Sequence, residues 1–106
     1  MTTFASPTQG GASWSLWRVD AKPGAEGPVH TIDGEQVWSW VGGSAVVELA
    51  GERYTVAAGD TVVMPAGVVR RVVAGPGGGY SAIVTAPAGV RAAVDGADYG
   101  VPPWIV

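Results

Sequence analysis

The sequence predicts an all-β fold, a small barrel or sandwich, and three observations support this. Seventeen glycines and eight prolines among 106 residues interrupt the chain too often for long helices. The segments between them are short and rich in Val, Trp, Tyr and Thr, which favour strands. Turn residues recur at regular intervals, as is typical of an all-β sandwich or barrel.

Strands are expected wherever these apolar segments occur. The predicted strands are residues 12–20, 35–41, 44–49, 52–56, 61–64, 69–74 and 80–85. Between two of them, Ala50-Gly51 predicts a tight hairpin turn, and Asp60 after Gly59 is expected to form another turn. The Gly-rich segment 75–79 is expected to be a flexible linker or lid.

The end of the chain is expected to pack rather than extend into water. Residues 90–97 are predicted to contain a short helical turn, although Gly96 weakens it. The tail 101–106 is too apolar to remain in water, so it is expected to pack on the domain or on a partner.

Successive side chains of a strand point to opposite faces of the sheet, so the alternation of polar and apolar residues predicts which side chains face water. Glu48 and Glu52 are expected to face water. The inward side chains of these two strands are then Ala45, Val47, Leu49, Tyr54 and Val56. Gln36, Trp38 and Trp40 share one face of their strand, but both faces carry apolar residues, so the pattern does not show which is inner. Trp14 and Trp17 point to opposite faces of theirs.

Length, charge and composition narrow the class of protein. The length fits one domain, residues 1–106. A net charge of −3 without a basic stripe argues against nucleic acid as a partner. The absence of cysteine excludes disulfides and thiolate metal sites. No apolar run is long enough to span a membrane and no signal peptide is visible, so a cytoplasmic location is expected.

Two segments punctuated by glycine carry a specific spacing. In residues 24–43, Gly24 is followed by His30, Ile32, Gln36 and Gly43. In residues 59–74, the corresponding positions are Gly59, Pro65, Gly67, Arg70 and Ala74. The two segments resemble the first and second motifs of the cupin superfamily. The resemblance implies a small antiparallel barrel of the jelly-roll type, a double-stranded β-helix, with Gln36, Trp38 and Trp40 pointing inward.

The resemblance also implies where a metal would bind. Cupins that bind Mn, Fe, Ni or Zn use three histidines and a carboxylate, and the matching positions here hold His30, Ile32, Gln36 and Arg70. Isoleucine cannot ligate and a guanidinium repels a cation. We therefore expect no metal cofactor; if a divalent metal did bind, His30 and Gln36 would be its ligands.

The residues at the same positions could instead bind an anion and transfer a proton without a metal. Arg70 would supply a fixed positive fork for a carboxylate or enolate, and His30 a base near neutral pH. Gln36 would orient the substrate. The expected walls of the cavity are Ile32, Trp38, Trp40, Tyr54 and Met64. Such a site suits a small, flat, oxygenated or anionic molecule.

Three functions remain open from the sequence. The chain could be a metal-independent isomerase, cyclase or lyase, a ligand-binding or sensory module without catalysis, or a vestigial barrel filled by its own side chains. A homodimer is expected from the resemblance, with Trp104 and either Trp14 or Trp17 as interface candidates.

Overall fold

The computed structural model describes residues 1–75 and 77–106, and in them the fold is nearly all β. The elements are β1 (Thr2–Ala5), β2 (Trp14–Ala21), β3 (Thr31–Ile32), β4 (Gln36–Leu49), β5 (Glu52–Ala57), β6 (Thr61–Met64), β7 (Arg70–Ala74), β8 (Tyr80–Pro87), β9 (Ala92–Val94), β10 (Ala97–Gly100) and a 3-10 helix, η1 (Pro103–Ile105). The fold class predicted from the sequence is confirmed. No helix in the described part is long and apolar enough to cross a membrane.

The long strand β4 organises the barrel because it belongs to two layers. Its first half lies between β8 and β6, and its second half lies between β5 and β7. The larger sheet continues through β8 to β2 and β1, while β3, β9 and β10 form a separate three-stranded sheet. All of these pairings are antiparallel.

A bulge in β4 joins two segments that were predicted to be separate strands. The pairing with β8 shifts register between Trp40 and Gly42. A bulge adds one residue to a strand and so changes which side chains point inward. Buried side chains accordingly fall on even positions before it, at Gln36, Trp38 and Trp40, and on odd positions after it, at Ala45 and Val47. The inner face implied by the resemblance is confirmed.

The prediction of a helical turn at residues 90–97 is wrong. The segment forms the hairpin of β9 and β10, in which Val94 pairs with Ala97. The two residues between them, Asp95 and Gly96, have φ values of 50° and 77°. Asp-Gly is a strong hairpin signal because such turns need positive φ at both positions.

The other predicted elements are largely confirmed. The turn at Ala50-Gly51, with φ values of 52° and 81°, connects the paired ends of β4 and β5. The carboxylate of Asp60 accepts a hydrogen bond of 2.8 Å from the backbone N–H of Ala57, as expected of a turn former. Strands β1 and β3 were not predicted. The predicted flexible loop 75–79 includes residue 76, which lies outside the described residues.

The tail 101–106 packs back onto the domain, as predicted. Ile105 is only 1% exposed, and its carbonyl accepts a hydrogen bond of 2.8 Å from the buried hydroxyl of Ser15. The Val106 carbonyl accepts bonds from the hydroxyls of Ser6 and Thr8, at 2.7 and 2.6 Å. The tail therefore closes one side of the barrel.

Candidate ligand cavity

A cavity of about 240 Å³ lies inside the barrel, between the first half of β4, the small sheet and the tail. Its lining is mostly apolar and aromatic. The lining residues are Met1, Trp17, Val19, Gly27, Pro28, His30, Ile32, Gln36, Trp38, Val72, Tyr80, Ala92, Val94, Pro102, Trp104 and Ile105. An apolar cavity of about 150 Å³ can hold benzene, so this one has room for a single substituted ring.

His30 borders the cavity and is held in one tautomer. Its Nδ1 lies 2.8 Å from the carbonyl oxygen of Pro28. Because a carbonyl only accepts, Nδ1 carries the proton and Nε2 keeps a free lone pair. Burial, with a smaller contribution from the charge of Arg70, lowers the pKa of His30, and the hydrogen bond to Pro28 opposes this shift. The ring is therefore neutral at pH 7 and can act as a base.

Gln36 presents an amide donor to the cavity. Its Oε1 accepts from the indole N–H of Trp38 at 3.2 Å and from Nη1 of Arg70 at 3.3 Å. Two donors on one side fix the orientation of the amide, since Nε2 could not accept either bond. Gln36 is 5% exposed, and its Nε2 has no hydrogen-bond partner among the described residues. Nε2 is thus the donor available to a ligand.

Arg70 does not line the cavity, which corrects its expected role as a direct substrate anchor. The residue pairs with His30 through two backbone hydrogen bonds of 2.9 and 3.0 Å, so the two expected catalytic positions are adjacent. Arg70 is 1% exposed, and its guanidinium donates to the carbonyls of Val68 and Pro65 and to Gln36. These bonds hold the charge one layer behind the cavity wall.

The residues expected to form the aromatic wall separate into two groups. Ile32 and Trp38 line the cavity as expected. Trp40 and Met64 are buried outside its lining, and Trp40 stacks on Trp38 with ring centroids 5.6 Å apart. The prediction that Tyr54 lines the cavity is wrong. It pairs with the inward Val47 but is 45% exposed, and its hydroxyl bonds Glu52.

Several residues that line the cavity were not predicted from the sequence to do so. Tyr80 lines the cavity, and burial raises the pKa of its hydroxyl to about 12. Trp17 also lines it, and the indole N–H of this residue is buried without a partner among the described residues. Trp104 and Ile105 reach it from the tail. The apolar character of the tail predicts that it packs, but nothing in the sequence shows that it packs over the cavity.

The interface candidates differ in exposure. Trp17 is 2% exposed and belongs to the core, whereas Trp14 is 53% exposed on the opposite face of β2. The opposite orientation of the two side chains is confirmed. Trp104 is half-buried over the cavity. The homodimer itself stays a prediction, and Trp14 is its most accessible candidate.

Comparison with known families decides which family the chain belongs to. The sequence model of the cupin domain family matches residues 17–84, which is more than half of the chain. The chain is a cupin. The match includes both motif segments of the sequence analysis. No curated protein matches the sequence.

Solved cupin structures share the fold of this cupin. An RmlC-like cupin from Shewanella frigidimarina is 30% identical with a TM-score of 0.65, over 72% of this chain and 68% of its own. KdgF from Halomonas sp. is 25% identical with a TM-score of 0.71, over 81% and 76%. The polyketide cyclase RemF from Streptomyces resistomycificus is 24% identical with a TM-score of 0.73, over 80% and 61%. This chain therefore spans about three-fifths of RemF's length.

The side chains at the metal positions of this cupin do not fit a metal ion. Within residues 1–75 and 77–106, no group of three or more His, Cys, Asp or Glu side chains is placed to hold one. His30 offers a single nitrogen, and the oxygen of Gln36 is already engaged by two donors. The buried guanidinium of Arg70 bonded to that oxygen repels a cation. One free ligand beside a fixed positive charge is too little for a first-row metal.

Proposed function

We propose that this cupin binds a small oxygenated ring compound in its cavity and moves a proton on it without a metal, with His30 as the base. The observation that carries the proposal is the pairing of a base and a donor at one apolar cavity. His30 has a free Nε2 and Gln36 has a free Nε2–H₂ group. RemF, which shares the fold, is a polyketide cyclase, and polyketides are oxygenated compounds of this general kind.

The proposed step is proton transfer next to a carbonyl group. Nε2 of His30 takes a proton from the carbon beside the carbonyl, and the C–H electrons form an enolate. The negative charge develops on the carbonyl oxygen, where the Gln36 amide donates a hydrogen bond. The imidazolium then returns a proton to the enolate, which regenerates the base: return to oxygen or to another carbon gives an isomer, and return to the original carbon gives hydrogen exchange.

The cavity itself supports a ligand rather than a vestigial barrel. A barrel filled by its own side chains would leave no space, whereas about 240 Å³ is open here. Trp38 and Trp40 stack as neighbours on one strand and do not meet across the barrel. Trp17, Trp38 and Trp104 give the cavity aromatic surface suited to a flat ring.

Hydrogen–deuterium exchange tests the proposal. The probe is 4-hydroxyacetophenone, a single ring whose methyl hydrogens lie beside a carbonyl, and exchange in D₂O is followed by proton NMR. We expect exchange above the buffer rate, and a loss on the order of 100-fold or more in His30→Gln. Tyr54→Phe is the matched control, because Tyr54 lies outside the cavity lining and should leave the rate unchanged.

A second function, binding without catalysis, is favoured by one observation. Among the side chains that line the cavity in the described chain, only His30 has an ordinary pKa near neutrality, and the pKa of Tyr80 is raised to about 12. The proton-transfer step therefore lacks a second side chain that could act as the acid. Binding of the probe in a calorimetric titration, with no exchange above the buffer rate, would overturn catalysis and leave a ligand-binding cupin. Absence of both would overturn the proposed function.

A further inference from the structure

The buried charge of Arg70 has no counterion. Its side chain is 1% exposed, and its three hydrogen bonds end on neutral oxygens, two of backbone carbonyls and one of Gln36. No Asp or Glu of the described chain forms an ion pair with it. A buried charge is costly unless it is paired, and pairing through neutral dipoles leaves its field uncancelled.

The neighbouring Arg71, in contrast, forms ion pairs with carboxylates at the protein surface, as is usual for an arginine. Arg71 points to the outer face of β7, where its guanidinium lies 3.0 Å from Glu26 and 3.8 Å from Glu48. Its charge is therefore both compensated and screened by water. The two adjacent residues carry the same formal charge, but only that of Arg70 acts on the interior of the barrel.

The field of Arg70 reaches the cavity through Gln36. Nη1 of Arg70 donates to Oε1 of Gln36, whose opposite amide nitrogen is the free donor at the cavity wall. Polarisation along such a chain strengthens the outer donor. The apolar lining provides little dielectric screening, so a fixed charge one residue away acts strongly there. The lowered pKa of His30, to which Arg70 contributes, is consistent with a positive potential at this wall.

We infer that the cavity selects a ligand that can become an oxyanion of the phenol or enol type, with Arg70 stabilising that charge through the amide of Gln36. This deepens the proposed function and rests on it. A carboxylate fits less well, because it favours two donors in a fork and the guanidinium does not line the cavity. A phenolate or enolate has one charged oxygen, which matches the single donor. Arg70 is thus a positioning and electrostatic residue, not a catalytic one.

The acidity of a bound phenol measures this potential directly. The probe is 4-nitrophenol, whose two protonation states absorb at different wavelengths, titrated with pH in excess wild-type protein. We expect it to be a stronger acid by about tenfold or more when bound than when free. The neutral analogue 4-nitroanisole, followed by tryptophan fluorescence, reports on the cavity alone and should bind to all variants that fold.

Three variants locate the source of the effect. Arg70→Met should abolish the increase in acidity, and Arg71→Met, which removes the same formal charge from the outer face, should preserve it. Arg70→Met could unfold the barrel, so Gln36→Glu provides an independent test. A glutamate there would pair with Arg70 and cancel its field, and the bound phenol should again be no stronger an acid than the free one.

The outcomes separate the two proposals. If both probes bind and the acidity of 4-nitrophenol is unchanged in the wild type, the inference about Arg70 is overturned and the cavity stands. If the increase survives in Gln36→Glu, or disappears equally in Arg71→Met, the inference is overturned as well. If neither probe binds the wild type, the proposed ligand cavity fails and the inference fails with it.

Discussion

The barrel interior contains two regions built from the same strands but packed differently. The packed core consists of buried residues away from the cavity, including Trp40, Val47, Met64 and Val84, which are at most 1% exposed. The cavity wall borders about 240 Å³ of open space. Strand β4 contributes Trp40 to the core and Trp38, two residues earlier, to the wall.

The difference shows that the motif positions still surround an open cavity, although their side chains do not fit a metal ion. Ile32 and Gln36 line the cavity, and Arg70 lies behind it and holds the amide of Gln36 by a hydrogen bond. The tail covers the space from the other side with Trp104 and Ile105. A region selected only for stability would be filled, because close packing is worth several kcal/mol.

The largest contrast is expected between the two stacked tryptophans. Trp40→Ala removes a ring that is 1% exposed in the packed core, and we expect the free energy of unfolding to fall by about 3–5 kcal/mol. Trp38→Ala should cost less, because one side of its ring already borders open space. Urea denaturation measures both. Equal losses would mean that the wall is packed as tightly as the core.

A second contrast uses two valines that face each other across β4 and β7. Val47→Ile adds a methylene to the packed core, and overpacking should cost about 1–3 kcal/mol. Val72→Ile adds the same group beside the cavity, where it should leave stability unchanged and weaken binding of 4-nitroanisole. Thermal unfolding and a fluorescence titration check the pair. A destabilised Val72→Ile protein with normal binding would place the open space elsewhere.

The tail tests whether the cavity wall depends on polar anchoring. Ser15→Ala removes the hydrogen bond from a buried hydroxyl to the carbonyl of Ile105 and should cost about 1 kcal/mol. Because Ile105 lines the cavity, the variant should also bind 4-nitroanisole more weakly. Ser39→Ala, which loses an exposed bond to Thr61, is the control and should change neither quantity. Unaltered binding in Ser15→Ala would show that the tail is not needed to form the wall.

The smallest expected effect is a pH dependence from His30. Its pKa is lowered in the folded state, so the unfolded chain binds this proton more tightly. Stability therefore rises with pH between the lowered folded value and the ordinary value of about 6.5, and the contribution is lost as pH falls through that range. His30→Gln should lose less stability than wild type between pH 7.5 and pH 5 in urea titrations. Parallel losses in the two proteins would contradict the lowered pKa.

The fold was largely predictable because glycine, proline and alternation are local signals. The strands around Ala50-Gly51 followed from them, whereas the inward face of β4 was implied by the family resemblance and the packing of the tail by its apolar composition. The Asp95-Gly96 dipeptide is itself a local hairpin signal, but the predicted helical turn took Gly96 only as a weak point in a helix.

The site was less predictable because side-chain direction depends on distant partners. Local sequence does not show that Arg70 turns toward the carbonyl of Pro65 and the amide of Gln36, away from the cavity. It also does not show that Tyr54, on the inward side of β5, remains exposed. The adjacency of His30 and Arg70, in contrast, follows the spacing of the two motifs.

The most direct test of a ligand cavity is a crystal structure of the protein soaked with 4-nitrophenol. We expect electron density for the ring between Trp17 and Trp38, with its oxygen within hydrogen-bond distance of Nε2 of Gln36. A ring found only on the outer surface, with the space beside Gln36 filled by water or by collapsed side chains, would contradict the account.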